Sequence, residues 1–76
     1  MTIFEVKNNG VYVTDNDLTK FLEFKNVVKF SEGIFNNKFI VRVAHKNGLY
    51  MLYTDDHKEQ KHFMSILEKG CGRREE

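Results

Sequence analysis

Apolar and polar residues alternate along most of this chain, and the breaks in the alternation mark its turns. Residues 3–7 and 11–14 alternate on either side of Asn8-Asn9-Gly10, where Asn-Gly supplies the positive φ angles of a type I′ hairpin loop. With Asn9 and Gly10 in the loop, Asn8 faces Val11 and Val6 faces Val13. Phe4, Val6, Val11 and Val13 then share one side, and Ile3, Glu5, Lys7, Tyr12 and Thr14 take the wet side of an antiparallel pair. A second Asn-Gly, Asn47-Gly48, divides residues 38–46 from 49–54 and predicts a second hairpin. There Lys46 opposes Leu49, Ala44 opposes Met51, Val43 opposes Leu52 and Arg42 opposes Tyr53. One face holds Phe39, Val41, Val43, His45, Tyr50 and Leu52, the better core. The other holds Lys38, Ile40, Arg42, Ala44, Met51 and Tyr53.

Between the hairpins the pattern is less decided. Asp15, Asn16 and Asp17 are helix N-cap types, and Leu18, Phe21 and Leu22 follow at helical spacing, which predicts a short helix over residues 17–23. A strand through residues 21–24 competes, because Phe-Leu-Glu-Phe fits both periods. Residues 27–31 read as a strand with Val28 and Phe30 on one side and Val27 and Lys29 on the other, and residues 32–37 read as a turn. The chain closes with a helix. Asp55 and Asp56 stand at its N-terminus, Glu59 completes a capping box, Phe63, Ile66 and Leu67 form the apolar stripe, and Gly70 follows Lys69 as a C-cap.

The predicted fold is therefore α+β: a small, mostly antiparallel sheet, built from two Asn-Gly hairpins and at least one further strand, packed against a C-terminal α-helix. Residues 1–69 form a single domain and residues 70–76 a flexible polar tail. The order of strand, hairpin and closing helix in the second half resembles the outline of small pleckstrin-homology-like modules. That likeness lies in element order without a residue motif, and it carries no function.

Composition narrows the function classes. Seventy-six residues, 41% of them hydrophobic, give one core and favour a shallow surface over a deep cleft. Twelve basic against eleven acidic side chains leave a net charge of +1, without the strong field of a dedicated nucleic-acid binder. A single cysteine, Cys71, and no apolar run near the roughly 18 residues that span a bilayer predict a reducing, cytoplasmic setting with no membrane association. Nothing in residues 1–7 reads as a signal-peptide core. The absence of proline, with seven Asn and nine Lys, points to an AT-rich coding genome such as that of a phage or a low-GC bacterium.

Asp55, Asp56, His57, Glu59 and His62 offer metal-ligand types, but His57 and His62 lie about 140° apart round a helix, and Glu59 with His62 needs a second such pair from another helix. Caps and a solvated face account for them, and neither metal nor cofactor is expected. His45 has no nucleophile placed beside it, and Cys71 in a tail has no positioned partner. Gly10, Gly33, Gly48, Gly70 and Gly72 fall into no phosphate-binding spacing. The expectation is a non-catalytic protein.

Charge is unevenly spread. Residues 20–46 carry +4, whereas residues 1–19 sum to −2 and residues 47–76 to −1. On the second hairpin this basic band coincides with Ile40, Leu49, Met51 and Tyr53, residues a purely solvated face would not favour. Tyr, Met and Arg among apolar groups is the composition of a protein interface. The leading expectation is a protein-binding module acting through Lys38, Ile40, Arg42, Met51 and Tyr53, in its concrete form a phage or mobile-element inhibitor or modulator of a host protein. The alternative is nucleic-acid binding through Lys25, Lys29, Lys38, Arg42, Lys46 and a stacking Tyr53. Homodimerisation over the same face is compatible with either.

Overall fold

The computed structural model describes residues 2–72. Six antiparallel strands form two three-stranded meanders, β1 (Thr2–Val6), β2 (Gly10–Asp15) and β3 (Leu18–Glu23), then β4 (Val27–Phe35), β5 (Lys38–His45) and β6 (Gly48–Tyr53), with one 3₁₀ turn (Phe24–Asn26) joining them. Helix α1 (His57–Cys71) closes the chain. The α+β class with antiparallel hairpins and a packed C-terminal helix is as the pattern predicts.

Both hairpins close at their Asn-Gly sites in a register two residues away from the expected one. Val6 pairs with Val11 and Phe4 with Val13, and in the second hairpin Val43 pairs with Tyr50 and Val41 with Leu52. An even slip leaves every side chain on its expected face. Val11, Val13, Val41, Val43 and Leu52 are accordingly buried. The type I′ backbone appears elsewhere, at Asn16-Asp17 (φ 50° and 71°) and Asn36-Asn37 (φ 52° and 62°). Gly10 does not use a positive φ. It is required for space, because a Cβ there would lie 2.5 Å from the Phe21 ring.

Three expectations are corrected. Residues 17–23 are not a helix: Asn16 and Asp17 form a tight loop, and residues 18–23 pair with β2, burying Leu22 and leaving Leu18 exposed. Residues 32–37 are not all turn, since β4 runs on to Phe35. A bulge between Val27 and Lys29 puts Val27 and Phe30 on the same inner face and turns Val28 outward.

Helix α1 begins as expected. The Asp56 carboxylate accepts the Glu59 N–H at 2.8 Å, and the Glu59 carboxylate accepts the Asp55 N–H at 2.9 Å. Phe63, Ile66 and Leu67 are buried and are joined by Gln60, Met64 and Cys71. The helix continues through Gly70 and Cys71 to a left-handed cap at Gly72 (φ 73°). Gly70 lies where the Phe24 ring abuts the helix, since a Cβ would sit 2.4 Å from it. Cys71 is buried in the core with its thiol 3.9 Å from the Phe24 carbonyl oxygen, so it is not a tail thiol. Residues 73–76 of the expected tail lie outside the described residues.

One core joins both meanders to α1, running through Val11, Val13, Leu22, Phe24, Val27, Phe30, Val41, Val43, Leu52, Phe63 and Leu67. Burying each of the larger side chains contributes roughly 1.5–3 kcal/mol. Phe4 of β1 stacks on Phe63 at 5.0 Å. Toward the second meander, Gln60 of α1, 3% exposed, donates both amide protons, to Gly33 O of β4 at 2.9 Å and Ile40 O of β5 at 2.8 Å. With α1 covering the inner side, the outer face of the second sheet is left to solvent.

Candidate functional site

The ladder register fixes what this outer face presents. Across the sheet the rows read Phe35 with Lys38, then Gly33, Ile40 and Tyr53, then Ser31, Arg42 and Met51, then Lys29, Ala44 and Leu49. These rows contain three cations and no carboxylate. Leu49 is 62% exposed, Phe35 48% and Tyr53 40%, and the Phe35 and Tyr53 rings approach to 6.4 Å in a tilted pair. Met51, Ala44 and Arg42 are half-buried and Lys38 and Lys29 exposed.

Ile40, expected to be part of the contact surface, is fully buried at 0% exposure. Its ladder partner Gly33 has no side chain, and the Arg42 guanidinium lies over that vacancy, 3.0–3.3 Å from where a Cβ would stand. Tyr53 flanks Ile40 from β6. Ile40 therefore lies within the face, enclosed by its neighbours. The Arg42 guanidinium also donates to Ser31 Oγ at 3.4 Å, which holds the cation flat across β4.

Of the candidate binding residues, Lys38, Arg42, Met51 and Tyr53 do come together on one surface. Phe35 and Leu49 extend it. Phe35 is hidden when residues 32–37 are read as a turn, because Ser31-Glu32-Gly33 interrupts the apolar alternation ahead of it. Leu49 was recognised as anomalous but not assigned to the site.

The basic residues of the nucleic-acid alternative divide into two groups. Lys29, Lys38 and Arg42 lie on the face. Lys46 stands in the β5–β6 turn, where its N–H donates to Asn26 O at 3.1 Å, and Lys25 sits in the adjoining 3₁₀ turn 3.6 Å from Glu23. Lys38 and Lys46 are separated by about 27 Å of strand at ~3.4 Å per residue. A cleft of about 310 Å³ adjoins the Lys38–Tyr53 end, with Asp15, Asn16, Asn36, Thr54 and Asp55 as its other walls. Thr54 anchors that end: its N–H reaches Phe39 O at 2.9 Å and its hydroxyl the same oxygen at 2.6 Å.

The other singled-out residues have structural occupations. His45 Nδ1 accepts the Asn47 N–H at 3.2 Å, His57 packs on Phe39 at 5.1 Å and His62 on Phe4 at 5.5 Å. Among the described residues no three His, Cys, Asp or Glu are grouped so as to hold a metal ion, and no helix is long and apolar enough to cross a membrane. Tyr50, on the inner face of β6, has its phenol pushed above the ordinary value of 10.0, first by burial and then by the charge of Asp15. Lys7 is raised by its hydrogen bond to Glu5. No family model, no curated protein and no solved structure matches this chain.

Proposed function

We propose that this protein is a non-catalytic protein-binding module that works through the outer face of its second sheet. Phe35, Leu49, Met51 and Tyr53 supply the apolar centre, and Lys29, Lys38 and Arg42 the cationic surround. The observation that carries this reading is that, among the described residues, the ladder rows of this face hold no carboxylate while Phe35, Leu49 and Tyr53 stand exposed on it. Tyr, Met and Arg are the residue types from which binding hot spots are built. The partner is then a protein with an apolar patch rimmed by Asp and Glu. It is held by mass action and occluded where it is covered, as a modulator of a host enzyme would act.

Because Tyr53 and Phe35 lie beside three cations, single-stranded nucleic acid is a second reading of the same surface. Affinity capture from the native host's lysate with the parent chain, with Arg42→Glu/Tyr53→Ala and with the exposed-site variant Leu49→Ser tests the first reading. The parent retains an acidic protein that both variants lose, and Leu49→Ser loses it with a melting curve close to the parent's. Equal retention by all three removes this face from consideration. Binding of an oligonucleotide that weakens steeply between two salt concentrations moves the assignment to the second reading. A concentration-dependent dimer in sedimentation, lost on Leu49→Ser, makes the partner a second copy.

A further inference from the structure

The first sheet ends on an open edge. β1 pairs with β2 alone among the described strands. Lys7 N donates to Gly10 O at 2.8 Å, which makes Lys7 and Gly10 a hydrogen-bonded pair. The alternation of an antiparallel ladder then makes Glu5–Tyr12 and Ile3–Thr14 bonded pairs and leaves Val6–Val11 and Phe4–Val13 unbonded. The N–H and C=O groups of Phe4 and Val6 consequently point away from β2.

Two hollows run along this edge between β1 and α1. One, of about 530 Å³, is floored by Val6, Phe24 and Ile66 and has Lys7 and Lys69 on its walls. The other, of about 620 Å³, lies beside Phe4 with Asp56, Lys58 and Glu59 around it. His62, packed on Phe4 at 5.5 Å, lines both, so the two hollows adjoin along the groove between β1 and α1.

We propose that this groove receives an extended peptide as a fourth strand on β1. Its backbone meets the outward groups of Phe4 and Val6, an apolar side chain enters the hollow over Val6, Phe24 and Ile66, and a carboxylate lies beside Lys69. Strand addition takes affinity from main-chain bonds and specificity from pockets for alternate side chains, and both are laid out here. Charge sets the direction. Lys7 is bridged to Glu5 at 2.9 Å, so the Val6 end carries one net positive charge with Lys69, whereas Asp56, Glu59 and Lys58 leave the Thr2 end one net negative. The acidic end of the peptide belongs at Lys69. This site is on a different sheet from the proposed protein-binding face, so each proposal stands or falls separately.

The probe is a short capped peptide alternating valine and threonine, with lysine at its first position and two glutamates at its last, titrated into the isotope-labelled full chain. The amides of Phe4, Val6 and Lys69 shift together, and those of Phe4 and Val6 become protected from exchange. Val6→Pro removes a donor that β2 does not use, so β1 stays in the sheet while affinity for the probe falls tenfold or more. Lys69→Glu weakens the glutamate probe and favours one with the two end charges exchanged. Unchanged affinity in a folded Val6→Pro chain overturns the proposal, as do shifts confined to other surfaces or no shifts at millimolar probe. Should Val6→Pro not fold, the charge exchange decides: an unaltered preference after Lys69→Glu overturns it.

Discussion

The two meanders share a plan and differ in what they do with their outer faces. Both are three antiparallel strands joined by tight turns rich in Asn. On the first, the outer residues pair with one another, although Ile3 and Tyr12 stay exposed: Tyr12 and Phe21 meet at 4.6 Å, Thr14 and Thr19 share a hydrogen bond at 3.1 Å, and Glu5 bridges Lys7. On the second, cations surround apolar side chains and the carboxylates are elsewhere. Glu32 is on the helix side, where it bridges Lys61 at 2.8 Å, an exposed pair worth under about 1 kcal/mol. The lesson is that an antiparallel sheet with one dry face leaves the composition of the other face free, and the two meanders fill it differently.

The meanders also meet α1 differently. The first offers the stacked Phe4 ring, while the second adds two buried hydrogen bonds from Gln60. Phe63→Asp strikes the contact with the first and the core common to both, so it has the largest effect. An unpaired charge replaces a fully buried ring at a cost of at least about 4 kcal/mol, and cooperative urea unfolding is lost. A sharp two-state transition in that variant would mean α1 is not what joins the sheets.

A smaller effect separates the outer faces themselves. Ile40 and Tyr12 occupy outward positions on the central strands of their sheets. Ile40→Ala costs about 2–5 kcal/mol because the side chain is wholly enclosed, whereas Tyr12→Ala costs about 1–2 kcal/mol, mostly the aromatic pair with Phe21. Equal losses in denaturant titrations would show that the second face is no better supported than the first.

The smallest effect tests where the sheets approach each other. Burial first, and the charge of Asp15 on the first sheet second, push the phenol of Tyr50 on the second above its ordinary value. A raised acid group favours the native state while it is protonated. Its contribution is therefore complete below the unfolded pKa near 10 and is lost as pH rises through the higher folded pKa. The melting temperature of the parent falls more steeply above pH 10 than that of Tyr50→Phe. Parallel curves would remove Tyr50 from the contact.

Much of this was legible in residue order. The faces of both hairpins were read correctly although both registers were displaced, because a slip of two preserves the alternation on which the faces depend. The capping box and the stripe of α1 were legible for the same local reason. The strand at residues 18–23 was not, since Leu18, Phe21 and Leu22 satisfy a helical period equally well and only pairing with β2 selects the extended form. The alternation puts Lys38, Ile40, Arg42, Met51 and Tyr53 on one face, as the ladder does. That Ile40 is enclosed there was not legible, because its cover comes from what stands beside it, a glycine on β4 and a guanidinium reaching over that glycine.

Alternation with period two, Asn-containing turns and an aspartate before an amphipathic segment determined by themselves that strands come first and a helix last, and which side of each hairpin is dry. These are properties of neighbours in the chain, set by backbone geometry and desolvation. Only the assembled molecule decided that β4 bulges at Val28, that Gly70 admits the Phe24 ring into the side of α1, and that Cys71 is buried. Each depends on the size of a side chain far away in the chain, and close packing makes size decisive only once the elements are in contact.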